Sequence, residues 1–304
     1  MNTFAGIGLK VLSALVFTVM TALVKILATD YPTGQIVFSR SLFALVPLTA
    51  MLVAQRQFPA ALRTARPFGH VLRGVFGGAS MSLGFAAVAF LPLPDVVALG
   101  YAAPLMTLAM APFLLGEKVG IYRWSAVALG LAGVLLILSP HLGAGVTGDG
   151  AGTGAALALL GALGTSIAMI QVRRLTITET NGAIVFYFSL VTTALGLATL
   201  PFGWEMPDMK GAALLVCIGL MGGVGQILLT QSYRLAPAST IAPFDYTTML
   251  WALGIGFAVF GEVPAPVVFV GAAIVMAAGI FVILRERQLG IERARTAGIR
   301  QTPL

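Results

Sequence analysis

The sequence predicts an all-α integral membrane protein of ten transmembrane helices, built as two inverted five-helix repeats, and three observations carry that expectation. The chain is 58% hydrophobic and 10% charged, with a mean hydropathy of +0.97, which excludes an ordinary water-soluble domain. It is also one unit written twice. A shift of 145 positions puts Pro92 on Pro237, Tyr101 on Tyr246, Gly116-Glu117 on Gly261-Glu262, and Gly74, Gly77 and Gly78 on Gly219, Gly222 and Gly223. A shift of 148 aligns Lys25 with Arg173 and Ile36-Val37-Phe38 with Ile184-Val185-Phe186. Such self-similarity defines the unit of a fold before any local reading. Thirdly, Lys and Arg gather on one side of the expected spans.

A bilayer core of about 30 Å takes roughly 20 apolar residues per helix. Apolar runs near that length fall at 4–27, 34–54, 68–90, 95–115 and 123–139, then at 152–172, 183–201, 211–235, 239–260 and 266–284. The connections carry Pro, Gly or charge, as helix ends should. The first repeat is expected over 4–140 and the second over 150–284, with 285–304 a disordered basic tail.

Charge sets the orientation. Arg56, Arg63 and Arg66 follow span two, with Arg73 close behind; Lys118 and Arg123 follow span four. Arg173 and Arg174 end span six, Arg234 ends span eight, and five arginines lie in the tail. Only Lys25 and Lys210 lie near helix ends on the other side. Cytoplasmic loops accumulate Lys and Arg, so both termini are expected in the cytoplasm of a multi-pass protein of the cell inner membrane. The net charge of +7 thus reports orientation, and no nucleic-acid partner is expected. One cysteine, Cys217, excludes an internal disulfide. The N-terminal run, with Lys10 its early cation and no small-residue cleavage site, reads as a retained span.

Five spans per repeat is an odd number, so the second copy enters the membrane from the opposite side. Inverted halves are a transporter architecture, with the substrate bound near the midplane where the halves meet.

The run at 104–138, PLMTLAMAPFLLGEKVGIYRWSAVALGLAGVLLIL, resembles the C-terminal part of an EamA-type unit of the drug/metabolite transporter superfamily. There a Pro-containing helix ends in Gly-Glu-(Lys/Arg) and a Gly/Ala-rich helix follows. The FSRSLFAL run at 38–45 is similar to that family's second helix, with its buried Arg. The resemblance covers about residues 4–284 and is nearest to amino-acid exporters of the YddG type. It implies ten helices and export of amino acids or other small metabolites. An exporter or flippase of nucleosides, sugars, drugs or lipid-linked substrates stays open beside it, as does a channel. The second copy departs from the pattern, since Val263-Pro264 follows Glu262 and no local cation is there to pair with it.

Several residues are candidates for the work. Gly74-xxx-Gly78 and Gly219-xxx-Gly223 permit close helix approach in lipid. Pro104 and Pro243 break spans four and nine, and freed carbonyls are tolerated in a membrane only beside protein or a wet cavity. Arg40 and Asp245 lie about 9–10 Å inside spans two and nine, where a charge facing lipid would cost at least roughly 3 kcal/mol. Arg40 is expected to hold carbonyls or Asp245; Asp245 is expected to bind a substrate amine or carry a proton. Tyr101 and its mate Tyr246 are the best aromatic candidates. Gln171, Gln226, Ser82 and Thr165 would add polarity, and Phe17, Met81, Phe85 and Met169 a soft apolar wall. Gln231 is a further polar candidate. Glu117 and Glu262 stand at helix C-termini, oppose the dipole there and need cationic partners, as turn and gate elements.

Enzyme chemistry is not expected. His70 and His141 lack metal-ligand spacing, and no HExxH, GxSxG or GxxxxGK occurs. No cofactor and no metal is expected. The expected partners are a small-molecule substrate and the bilayer, with protons and a monomeric state left open.

Overall fold

The computed structural model describes residues 3–59, 62–115, 120–142 and 150–299. Glu117, with Gly116 and Lys118, lies outside them. Among the described residues the only regular secondary structure is helical, joined by short turns and connections. Its helices are α1 (Thr3–Leu27), α2 (Thr33–Ala54), α3 (Pro67–Ala87), α4 (Leu93–Gly100), α5 (Ala102–Leu115), α6 (Ile121–Leu142), α7 (Ala151–Leu175), α8 (Asn181–Leu197), α9 (Met209–Leu235), α10 (Ala238–Ile241), α11 (Thr247–Phe260) and α12 (Pro266–Ile299). Helices α4 and α5 together make span four. Helix α10, a 3₁₀ stretch at Ala242–Tyr246 and α11 make span nine, so ten spans result.

Seven of these segments are long and apolar enough to cross a membrane by length and composition alone. The rest fall short for identifiable reasons. Helix α8 has 17 residues, α3 carries His70 and Arg73, and span nine is broken around Pro243. Helix ends follow local chemistry. Thr180 and Asp208 accept the backbone N–H groups of Ala183 and Gly211, capping α8 and α9. Gly261, at φ +66°, ends α11 in the left-handed conformation that glycine adopts without strain. At the other extreme, the basic segment expected to be disordered after Leu284 continues α12 as helix to Ile299.

The two repeats interlock rather than sit side by side. Helix α1 packs along α9 and α3 along α7, while α2 meets α8 and α9, α3 meets α8, and α6 meets α12. Exchanging each helix for its repeat mate maps this set of contacts onto itself. One hydrogen bond shows the inversion at atomic scale. Ser13 Oγ of α1 donates to the Gly225 carbonyl of α9 at 2.8 Å. Ser80 Oγ of α3 donates to the Gly161 carbonyl of α7 at 2.6 Å. Gly161 is the repeat mate of Ser13 and Gly225 that of Ser80, so donor and acceptor have changed places.

The glycine pairs lie in these contacts. A Cβ on Gly78 would come within 2.9 Å of Thr192 and Leu195 of α8. A Cβ on Gly223 would lie 2.7 Å from the Ala44 carbonyl and collide with Pro47 of α2. Each glycine brings span three or eight against the second helix of the other repeat. In lipid, such backbone approach replaces the hydrophobic effect as the source of association.

Candidate substrate cavity

Tyr101 is the residue at which span four breaks, between α4 and α5. Pro104 follows three residues later and cannot donate to the Gly100 carbonyl, so the helix is free to bend there. Its mate Tyr246 closes the 3₁₀ stretch that contains Pro243. The two breaks bring the tyrosine rings together edge to face, with centroids 5.0 Å apart and planes at 69°. Tyr101 Oη lies 2.6 Å from Thr248 Oγ1 and 3.3 Å from the Tyr246 carbonyl. The hydroxyl end of Tyr246 packs over Gly279 of α12, where any Cβ would collide with it.

These rings line a cavity of about 730 Å³. Phe17, Thr18 and Thr21 of α1 and Thr107 of α5 line it, with Thr165 and Met169 of α7. Its rim carries Arg123, Arg173 and Tyr233, all near helix ends on the face where α1 begins. The opposite end is shut. Lys25 pairs there with Glu262 and donates to the Leu91 carbonyl at 2.6 Å, while Glu262 Oε2 accepts the Leu93 N–H at 2.8 Å. Glu262 thus supplies a carboxylate to the N-terminus of α4, which has no side-chain cap of its own. His141 Nε2 lies 3.0 Å from Asp95 beside it, and both are buried. The partner that Glu262 lacks in its own helix therefore comes from α1.

Asp245 stands in the cavity wall, but Arg40 does not hold it. Lys10 Nζ of α1 lies 2.5 Å from Asp245 Oδ1, with its side chain 3% exposed against 52% for Asp245. Lys10 also sits 5.0 Å from the Tyr233 ring centroid and 3.5 Å from Tyr233 Oη. The lysine is the buried support and the carboxylate faces the cavity. Arg40 is instead buried against Gly222 and Phe188, away from Asp245. Lys10 was legible as an intramembrane cation, seven residues beyond the start of α1, yet its place near the N-terminus reads as a topology signal.

Of the other residues singled out, Tyr246, Thr165, Phe17, Met169 and Pro104 line the cavity. Gln171, Gln226, Ser82, Met81 and Phe85 are not in its wall. Ser82 Oγ bonds the Gly78 carbonyl within α3, and Met81 and Phe85 pack in the core beside α1 and α2. Gln231 lines a separate crevice of about 460 Å³ with Arg56 and Arg234. On the face where α1 begins, Glu179 accepts the Ala65 N–H at 2.9 Å and faces His70 Nε2 at 3.4 Å. Burial pushes the Glu179 carboxyl up, but those partners outweigh it and leave it below the usual glutamate range.

A helical membrane protein whose inverted halves share a cavity lined by tyrosine, threonine and aspartate side chains, with an ion pair across its far end, has the architecture of a secondary transporter. Residues 4–139 match the EamA-like transporter family. The chain is 30% identical to a riboflavin transporter of Rhizobium johnstonii, over 91% of this chain and 90% of the relative. It is 27% identical to an S-adenosylmethionine uptake transporter of Rickettsia prowazekii, over 93% and 94%. It is 28% identical to the pseudopaline exporter CntI of Pseudomonas aeruginosa, over 91% and 95%. A solved crystal structure superposes with a TM-score of 0.65 at 18% identity, over 95% of this chain and 99% of the other, which shows a shared fold. The chain belongs to the EamA-like transporter family. It is a multi-pass membrane transporter of the drug/metabolite type, not an enzyme.

Proposed function

We propose that the protein is an alternating-access carrier that moves small amphipathic metabolites bearing an amine, amino acids first, outward across the cytoplasmic membrane. One observation carries the reading. Asp245 is held at the cavity wall by a buried lysine, beside the Tyr101/Tyr246 pair. A carboxylate with one oxygen on Lys10 keeps the other for a substrate ammonium group, and the ring faces suit an apolar side chain. Supported from behind in this way, Asp245 acts as a fixed anchor rather than as a proton carrier.

The Lys/Arg asymmetry supports cytoplasmic termini, and with them a cytoplasmic cavity mouth and an inward-open conformation. Opening outward then requires separating Lys25 from Glu262 while the rim around Arg173 closes. A single chain encloses the cavity, so a monomer suffices. Outward direction rests on the resemblance to amino-acid exporters and on the pseudopaline exporter among the relatives. A second reading, uptake of a flat heteroaromatic compound, is favoured by the tyrosine pair and by the riboflavin and S-adenosylmethionine transporters among the relatives. Counterflow into liposomes with labelled L-leucine, L-phenylalanine, riboflavin and S-adenosylmethionine tests both. Amino-acid counterflow inhibited by the matching amine but not by the N-acetyl derivative supports the first reading. Counterflow of riboflavin alone replaces it with the second.

A further inference from the structure

Two arginines that the cavity does not use lie close together between α2, α3 and α8, Arg40 buried and Arg73 half-buried with its Nε and Nη1 shielded from solvent. Arg40 is 6% exposed. Its guanidinium carbon lies 5.9 Å from the Phe188 ring centroid, and that of Arg73 lies 4.0 Å from the same centroid. Repeat-mate glycines seat them both. Arg40 Nε is 3.0 Å from where a Cβ on Gly222 would stand, and Arg73 Nη1 occupies the place of a Cβ on Gly77. Neither guanidinium is neutralised by any carboxylate of the described residues. Asp245 is taken by Lys10, Glu262 by Lys25, Asp95 by His141 and Glu179 by His70 and Ala65. Arg40 Nε and Arg73 Nε and Nη1 are buried without a hydrogen-bond partner.

A ring face attracts a guanidinium, but it does not satisfy the N–H groups, which point outward in the guanidinium plane. Two permanent positive charges on one ring also repel each other, and burying an ion unpaired is among the costliest arrangements a membrane interior holds. Stacked on Phe188, the two forks leave unsatisfied donors where one small acceptor with negative charge would meet both needs.

We propose that Arg40 and Arg73 form a binding site for one compact anion, a halide or a carboxylate, separate from the Asp245 cavity. The occupant is a resident inorganic ion or a small free carboxylate, not the molecule bound in the Asp245 cavity. The binding test stands whether or not the amino-acid reading holds, because it needs no transport.

The full chain, purified in detergent, is titrated with sodium chloride and with sodium acetate at constant ionic strength in sodium isethionate. The unfolding midpoint should rise saturably by a few degrees with either anion. Arg73→Gln and Arg40→Gln should abolish the rise, and Arg73→Lys should weaken it. If Arg40→Gln does not fold, Arg73→Gln at the less buried arginine decides. Phe188→Leu should lower the midpoint yet keep the anion response, since both cations remain. In liposomes, a more than tenfold rise in KM for leucine but not for leucinamide in Arg73→Gln would put the substrate carboxylate on the pair and overturn a site separate from the cavity. Equal loss for both, with chloride dependence gone, identifies a resident ion. A wild-type midpoint indifferent to both anions, or one that responds unchanged in Arg73→Gln, overturns the site.

Discussion

Replacing Asp245 with Asn separates what this residue holds from what it binds. Lys10 is buried on the protein side of the pair and Asp245 is half-exposed to the cavity. Stranding one partner of a fully buried pair costs about 3–5 kcal/mol, whereas an exposed pair contributes about 0–1 kcal/mol. With one partner on each side of that divide, Asp245→Asn should cost about 2 kcal/mol. The double variant Lys10→Met/Asp245→Asn removes the stranded charge and should recover most of that loss. Transport should not recover with it. An amide cannot offer an ammonium group the same charge-assisted bond, and about 1.4 kcal/mol of lost binding is already tenfold in affinity. Detergent unfolding midpoints of the four members of the cycle, with substrate affinities in liposomes, provide the readout. Wild-type affinity and rate in the double variant would make Asp245 a structural residue and move the binding site elsewhere. Undiminished stability in Asp245→Asn would show that Lys10 does not depend on it.

Further expectations concern the packing, the closed end and the exposed ion pairs. Gly78→Leu and Gly223→Leu should each cost about 1–3 kcal/mol through overpacking and impair transport. Gly254→Leu should do neither, since a side chain there meets open space; equal effects in a transport assay of all three would remove spans three and eight from the moving core. Glu262→Gln should loosen the closed end, so Val97→Cys in a Cys217→Ser background should label several-fold faster with an impermeant maleimide from that face. Glu179 is held below the usual range, so its stabilisation is complete above the ordinary glutamate pKa and is lost as pH falls through its lowered value. The unfolding midpoint should therefore fall as pH drops below the ordinary glutamate range in wild type and change less in Glu179→Gln. Reporters fused within 143–150 should read as non-cytoplasmic; a cytoplasmic readout would reverse the orientation.

The helices and their inversion were legible because each is a local or periodic signal. Nine of the ten apolar runs match the helices to within a few residues, while α12 runs on to Ile299 past the expected end at 284, and the offset that pairs Tyr101 with Tyr246 also pairs Gly78 with Gly223. Tyrosine and proline marked where spans four and nine break. The ionic wiring was not legible, because it joins residues far apart in the chain. Lys25 and Glu262 are separated by 237 positions, and nothing in either neighbourhood names the other. Arg40 and Asp245 were singled out together for lying at similar depth, but depth does not tell which face of a helix meets which neighbour. Lys10 faces α9 and the 3₁₀ stretch, and Arg40 faces Gly222. Arg73 lies inside the third span at 68–90 but counts in the sequence only among the charges that set the orientation.

The central claim is that Asp245 and the tyrosine pair form a carrier site for amine-bearing metabolites, and counterflow by purified protein in liposomes tests it most directly. Vesicles preloaded with unlabelled amino acid should accumulate labelled amino acid without an imposed pH gradient, and Asp245→Asn vesicles should not. Accumulation in Asp245→Asn vesicles equal to wild type, or no accumulation of any amino acid by wild type, would contradict the account.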